Sequence, residues 1–254
     1  MLVAAAVCPC PPLLVPEVAT GAAPELDTAR TACADALGLL AAARPDRLYV
    51  VGPADRGAHG VFPAGSTGSF AGFGVDLSVR LGDPAGPGEP GRTGGEPGRT
   101  GGDPDTGRPL PVSLAVGAWL LERAGWADAP IEGLAVDGEA TPDVCAGLGR
   151  GLADSAGRVA LLVTGDGSAC RTVKAPGYLD ERAAAFDAEA ARALGAADVA
   201  ALLALDPELA YELKAAGRAP WQVLAGAAEG AGLDGRLLFE DAPYGVGYFV
   251  AAWS

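Results

Sequence analysis

The chain has 254 residues, half of them hydrophobic, and 32 acidic against 18 basic side chains give it a formal charge of −14. That length suits one large domain or two small ones, and the charge excludes nonspecific binding to nucleic acid or to an anionic membrane, whose phosphates would be repelled. The single histidine, His59, excludes a metal site built on two or three imidazoles.

No apolar run approaches the roughly 18 residues of a transmembrane helix, and much of the hydrophobic fraction is alanine. The first basic residue is Arg30, so the N-terminus lacks the positive flank of a signal peptide. Five cysteines, with no C-x-x-C pair among them, imply reduced thiols in a cytoplasm and give a zinc ribbon no support.

Residues 2–7 have the length and composition of a buried strand. They run into Cys8-Pro9-Cys10-Pro11-Pro12-Leu13-Leu14-Val15-Pro16-Glu17, where the prolines predict a stiff, extended exit from the sheet. Such a loop can hold the Cys10 thiol over a pocket. The plainer alternative is a proline-rich exit with two small buried cysteines. Helical spacing of Leu26, Ala29, Cys33, Leu37 and Leu40 predicts a helix over 24–43, with Pro24 in its first turn. Residues 47–51 form the next strand, ended by Gly52-Pro53, and the β-loop-α-β order predicts a parallel pair.

A loop over 53–69 carries His59, and alternation from 70 to 81 predicts a strand with Phe73, Val75, Leu77, Val79 and Leu81 on one side. Residues 82–109 change character. Gly-Glu-Pro-Gly-Arg-Thr-Gly occurs at 88–94 and again at 95–101, with no apolar position in the repeat. This is a low-complexity, flexible insertion, a tolerated surface expansion without chemistry of its own.

Order resumes with a helix over 112–125, a strand over 131–136 and a helix over 141–156 with Thr141 as N-cap and Pro142 at its first position. Residues 158–164 read as a central strand, ending in the turn-rich Gly165-Asp166-Gly167-Ser168-Ala169-Cys170. An amphipathic helix over 180–194 follows. Two or three helices then fill 197–231, one capped at Asp206-Pro207 and another starting at Ala219-Pro220. Strands over 237–240 and 246–252 close the chain. The alternation predicts an α/β fold over 1–254: a single three-layer domain with a central, mostly parallel or mixed sheet flanked by helices.

Three strand-end loops (8–17, 165–172 and 240–248) carry a family resemblance. Pro9-Cys10-Pro11-Pro12-Leu13-Leu14-Val15-Pro16 resembles the P-H-P-P-L-L-V-P opening of class III extradiol ring-cleavage dioxygenases, the catalytic LigB-type subunit, and of their Memo-type relatives. Gly165-Asp166-Gly167-Ser168-Ala169, with Phe186-Asp187 beyond it, resembles that family's G-D-L-S-H loop and following F-D. Ala242-Pro243-Tyr244-Gly245-Val246-Gly247-Tyr248 resembles its closing A-P-[FY]-G-V-G-Y. The motifs stand in the family's order, and the resemblance spans the chain apart from the insertion.

The resemblance implies Fe(II) held by two histidines and a carboxylate, with a further histidine for acid/base work. Position 10, the first implied ligand, is cysteine; the implied second lies at Pro53-Ala54; the acid/base position is Ala169. A carboxylate remains as Glu240 or Asp241. A thiolate and one carboxylate make a softer site, suited to zinc or copper(I) more than to oxygen activation. Alanine at 169 leaves a catechol proton without an acceptor. The reading is a catalytically degenerate member that keeps its pocket as a binding or scaffolding surface. The alternative is an active ring-cleaving dioxygenase with a rebuilt metal site.

The pocket candidates are Cys10, Ala54, His59, Asp166, Ser168, Ala169, Cys170, Glu240 and Asp241, with no confident catalytic residue. No metal or other cofactor is expected. If a metal were held, Cys10, His59 and Glu240 or Asp241 would be its ligands, and a Cys10/Cys170/His59/Asp241 zinc site or a Cys10/Cys170 redox pair is the sharper version. Asp166 and Ser168 also read as groups that hold their own loop's amides. The expected partner is a small molecule or a protein. Self-association is common in the family, and Trp253 is the candidate for such an interface.

Overall fold

The computed structural model describes residues 1–54, 59–83 and 108–254. The expected insertion therefore lies outside the described residues from 84 to 107. Nine strands occur among the described residues: β1 (Leu2–Cys8), β2 (Arg47–Pro53), β3 (Gly60–Phe62), β4 (Thr67–Ser69), β5 (Ser78–Arg80), β6 (Ile131–Val136), β7 (Val159–Thr164), β8 (Gly235–Asp241) and β9 (Tyr248–Trp253). The helices are α1 (Pro16–Ala19), α2 (Asp27–Ala42), α3 (Val112–Ala124), α4 (Pro142–Asp154), α5 (Ala183–Gly195), α6 (Val199–Leu203), α7 (Pro207–Glu212) and α8 (Arg218–Ala228).

Seven strands form one mixed sheet in the order β3-β6-β2-β7-β1-β9-β8, parallel from β6 to β1 and antiparallel at both margins. β7 is the middle strand, and all six of its residues are buried, as a parallel strand covered on both faces requires. Its side chains alternate between two apolar layers. Val159, Leu161 and Val163 enter the layer made with α4, α5 and α8; Ala160 and Leu162 enter the layer made with α2 and α3. The expected three-layer α/β architecture is thus present.

Connections running from β1 to β2 and from β2 to β6 cross on the α2/α3 face, whereas the return from β6 to β7 crosses on the α4 face. Opposite directions of travel use opposite faces because crossovers keep one hand. This return inserts β7 between β1 and β2. Those two strands are parallel but each pairs with β7, so the parallel pair expected from the sequence does not form.

Other local expectations also change. The strand expected over 70–81 is a hairpin of β4 and β5 around a 3₁₀ turn at Ala71–Phe73. Gly74 sits at φ 85°, a conformation that ends the turn and breaks the alternation, leaving Phe73 exposed. The proline loop is not extended throughout. Pro12 opens a 3₁₀ turn and Pro16 opens α1, each at a first helical position where its fixed φ fits and its missing N–H costs nothing. Trp253 is wholly buried and donates its Nε1–H to the Leu194 carbonyl at 2.6 Å, so it is core and not an interface residue. Thr141 does cap α4, accepting the Val144 N–H, and Asp206 caps α7.

The α4/α8 contact is made backbone to backbone. A Cβ on Gly149 would lie 2.0 Å from the Val223 carbonyl oxygen, and one on Gly226 would lie 2.3 Å from that of Ala146. Gly149→Ala must separate the helices, at an expected cost of about 1–3 kcal/mol. Urea unfolding should show a lower midpoint with an unchanged slope; an unchanged midpoint would mean the helices are not pressed together there.

Candidate functional site

In a parallel sheet, ligands collect beyond the carboxyl ends of strands whose connections leave to opposite faces. Here β7 leads to the α5 face while both its neighbours, β1 and β2, lead to the α2/α3 face. One crevice lies where β1 and β7 end; a second lies where β2 ends beside β6, whose connection leaves to the α4 face.

The first gathers the three loops singled out in the sequence. Gly165 N–H donates to the Cys8 carbonyl at 3.0 Å, Gly167 N–H to that of Gly247 at 2.7 Å, Gly247 N–H to that of Ser168 at 2.9 Å, and Arg171 N–H to that of Gly245 at 3.0 Å. Asp166 Oδ1 accepts the Cys10 N–H at 2.8 Å, tying the proline loop to the β7 loop.

Asp187, fully buried on α5, fixes this arrangement. It accepts the Ser168 N–H at 2.7 Å and the Ser168 hydroxyl at 2.8 Å, and pairs with Arg171 Nη1 at 3.0 Å. Three donors satisfy a carboxylate that would otherwise be costly to bury. A Cβ on Gly167 or Gly247 would stand 2.8 or 2.6 Å from its oxygens, which explains both glycines by close approach. Ser168 is accordingly a structural donor. Asp187 belongs to the Phe186-Asp187 motif but carried no site assignment in the sequence.

The remaining candidates do not converge. Cys10 belongs to the apolar layer on the α2 side and Cys170 to the layer on the α5 side, so the sheet separates the proposed redox or zinc partners. The Cys170 thiol donates to the Leu213 carbonyl at 3.5 Å and packs against Gly177. Ala169 is buried, its N–H given to Leu213 O at 2.9 Å. His59 is exposed, with Nδ1 4.0 Å from an Asp137 oxygen. Glu240 and Asp241 are exposed beside Arg171, Thr172 and Ala242 in a separate surface depression. Among the described residues, no three His, Cys, Asp or Glu side chains are grouped to hold a metal ion. All five cysteines are free and buried.

Burial pushes the Cys10 thiol well above its ordinary value, and the nearby Asp166 charge adds to the shift, so the group is a neutral thiol. Asp166 itself is pushed by burial from 3.8 up to about 7, its one Cys10 N–H donor only partly offsetting the loss of water. Burial likewise raises Tyr248, with Asp166 contributing next.

The second crevice is a cleft of about 310 Å³ between the carboxyl ends of β2 and β6 and the α7–α8 turn. Ala54 lines it together with the acids Asp137 and Glu139 and the cations Lys214 and Arg218. The turn is fastened to the first crevice: Gly217 N–H donates to the Asp166 carbonyl at 2.8 Å, and a Cβ on Gly165 would meet Gly217 Cα at 2.5 Å. Sequence reasoning missed Arg218, which lies only 2% exposed in a helix start where arginine ordinarily reads as a solvated charge.

The molecule is thus a three-layer α/β protein whose polar groups cluster at the carboxyl ends of its parallel strands. The sequence matches no family model and no curated protein. Among solved structures it is similar to an uncharacterized protein from Escherichia coli K12, at 13% identity over 99% of each chain and a TM-score of 0.49, which bears on no functional argument. No helix among the described residues is long and apolar enough to cross a membrane.

The Asp166 shift has a definite sign. Between pH 4 and 7 (roughly), the folded protein holds a proton that the unfolded chain has released, so this group's stabilisation, present at low pH, is lost as pH rises through about 7. Asp166→Asn cannot ionise and keeps an oxygen for the Cys10 N–H. Relative to the parent it should gain stability as pH rises across that window, read by urea midpoints at both ends. A constant difference would show that Asp166 ionises freely.

Proposed function

We propose that this is a class III extradiol dioxygenase-like (LigB-type) protein that has lost ring cleavage and keeps its carboxyl-end pocket as a surface for binding or scaffolding a small molecule or protein. The carrying observation is the donor set at the positions where the resemblance implies iron. Cys10 offers a buried, neutral thiol; Ala54 and Ala169 offer no lone pair; Glu240 and Asp241 point into a surface depression of their own. These residues do not fit Fe(II), which needs two neutral imidazoles and a carboxylate converging on one face. No step of the family reaction is therefore assigned to them. The meeting of the loops 8–17, 165–172 and 240–248 beyond the carboxyl end of β7 supports the ancestry, since that is where the family's motifs would have to meet. Free, buried thiols suit the reducing cytoplasm in which we place the protein, as a monomer or homo-oligomer.

Metal analysis of protein purified without a histidine tag, combined with oxygen uptake on catechols, tests the reading. The expected result is no stoichiometric iron and no uptake; stoichiometric iron with catechol-dependent uptake would sink it and restore an enzyme with a rebuilt site. Cys10→Ala should fold and lose only about 1 kcal/mol of stability, as removal of a small buried side chain does. Loss of a bound metal on that change would make Cys10 a ligand.

A further inference from the structure

We propose that the cleft beside β2 and β6 binds a small aliphatic carboxylate, with Arg218 as its charge partner. This rests on the reading of the carboxyl-end pocket as a binding surface and assigns that surface a ligand chemistry. Arg218 is held by neutral acceptors: Nη1 donates to the Ala140 carbonyl at 2.6 Å and to Gln222 Oε1 at 2.9 Å, and Nη2 to the Gly138 carbonyl. It makes no ion pair among the described residues, and its Nε–H has no acceptor among them. A guanidinium cannot discharge itself in a protein, so burial leaves a cation in a poorly solvated place whose acidic neighbour, Asp137, is exposed to water and does not close an ion pair with it. An anion entering the cleft would close one.

The walls set the rest of the ligand. Pro53, Ala54, Ala210, Ala215, Ala216 and Ala219 present methyl and ring methylene groups. The one aromatic residue of the lining, Tyr211, is 66% exposed, so no ring is sandwiched in the interior. That surface suits a short alkyl chain. Lys214, exposed, adds a second cation at the lining. Asp137 and Glu139 oppose an anion, but both are exposed and screened by water, whereas Arg218 acts from inside protein, where a charge is felt more strongly. His59 sits beside Asp137, at 4.0 Å, and offsets part of that acid's field when protonated.

The test uses full-length ¹⁵N-labelled protein titrated with hexanoate, 1-hexanol and hexylamine, three probes sharing a chain and differing in charge. Hexanoate should give saturable shifts at the amides of Gly138 and of 214–218 and at the Arg218 Nε–H, binding at least about tenfold more tightly than the other two. Hexanol or hexylamine binding there as tightly as hexanoate would overturn the charge assignment while leaving the cleft a binding surface. No saturable shift from any probe would overturn the proposal and leave the broader reading of a binding surface, which also admits a protein partner, in place. Because Arg218 also braces the 138–140 turn, its replacement could unfold the protein, so the control is Ala216→Phe. That position is exposed, and the ring should occlude the cleft and abolish the hexanoate shifts while the rest of the spectrum stays folded; persistence of the Arg218 Nε–H shift would place hexanoate elsewhere and overturn the proposal.

Discussion

Strand β7 is shut off from water on both faces and along both edges, and this constraint organises the molecule. A strand so placed can present polar atoms only at its ends. The carboxyl end, Gly165 to Ser168, is therefore where backbone groups must find partners from other segments, and it draws them from β1's exit, the β8–β9 turn and the α7–α8 turn at once. The close approach of Gly165 to Gly217 and of Gly167 to Asp187 follows, since side chains there would hold those segments away. The candidate site is the by-product of a buried strand needing to end.

Two aspartates near that end show how environment sets chemistry. Asp187 has no exposed surface and engages three donors, one of them cationic. Asp166 has a single N–H from Cys10 and is raised toward neutrality. Arg218, in the second crevice, stands closer to the Asp166 case: it is buried and held by neutral acceptors, with only the exposed Asp137 as an opposing charge nearby.

Much of this was legible in the sequence. The runs at 131–136 and 158–164 and the Thr141-Pro142 start of α4 were readable because apolar period and capping chemistry are local properties. The hairpin of β4 and β5 was not, because Phe73, Val75 and Leu77 mimic alternation across a glycine that turns the chain. Nor was the insertion of β7 between β1 and β2, since it depends on a strand that begins more than a hundred residues after β2 ends. At the site, the meeting of three loops followed from their motifs. The separation of Cys10 from Cys170 did not, because an irregular loop loses the parity that tells which face of a sheet a residue takes. Arg218 was invisible for a different reason: an arginine opening an alanine-rich helix looks the same in sequence whether it meets solvent or core.

The distribution of sulfur has a use of its own. Cys8, Cys10 and Cys33 report on the layer under α2 and α3, while Cys145 and Cys170 report on the layer under α4 and α5, and all five are buried in the native fold. A thiol-reactive reagent can therefore label them only through opening events, and mass mapping of the order in which they become alkylated distinguishes a domain that opens as a unit from one whose two halves part separately. The chain carries its own intrinsic probes of cooperativity, with no dye or engineered residue required.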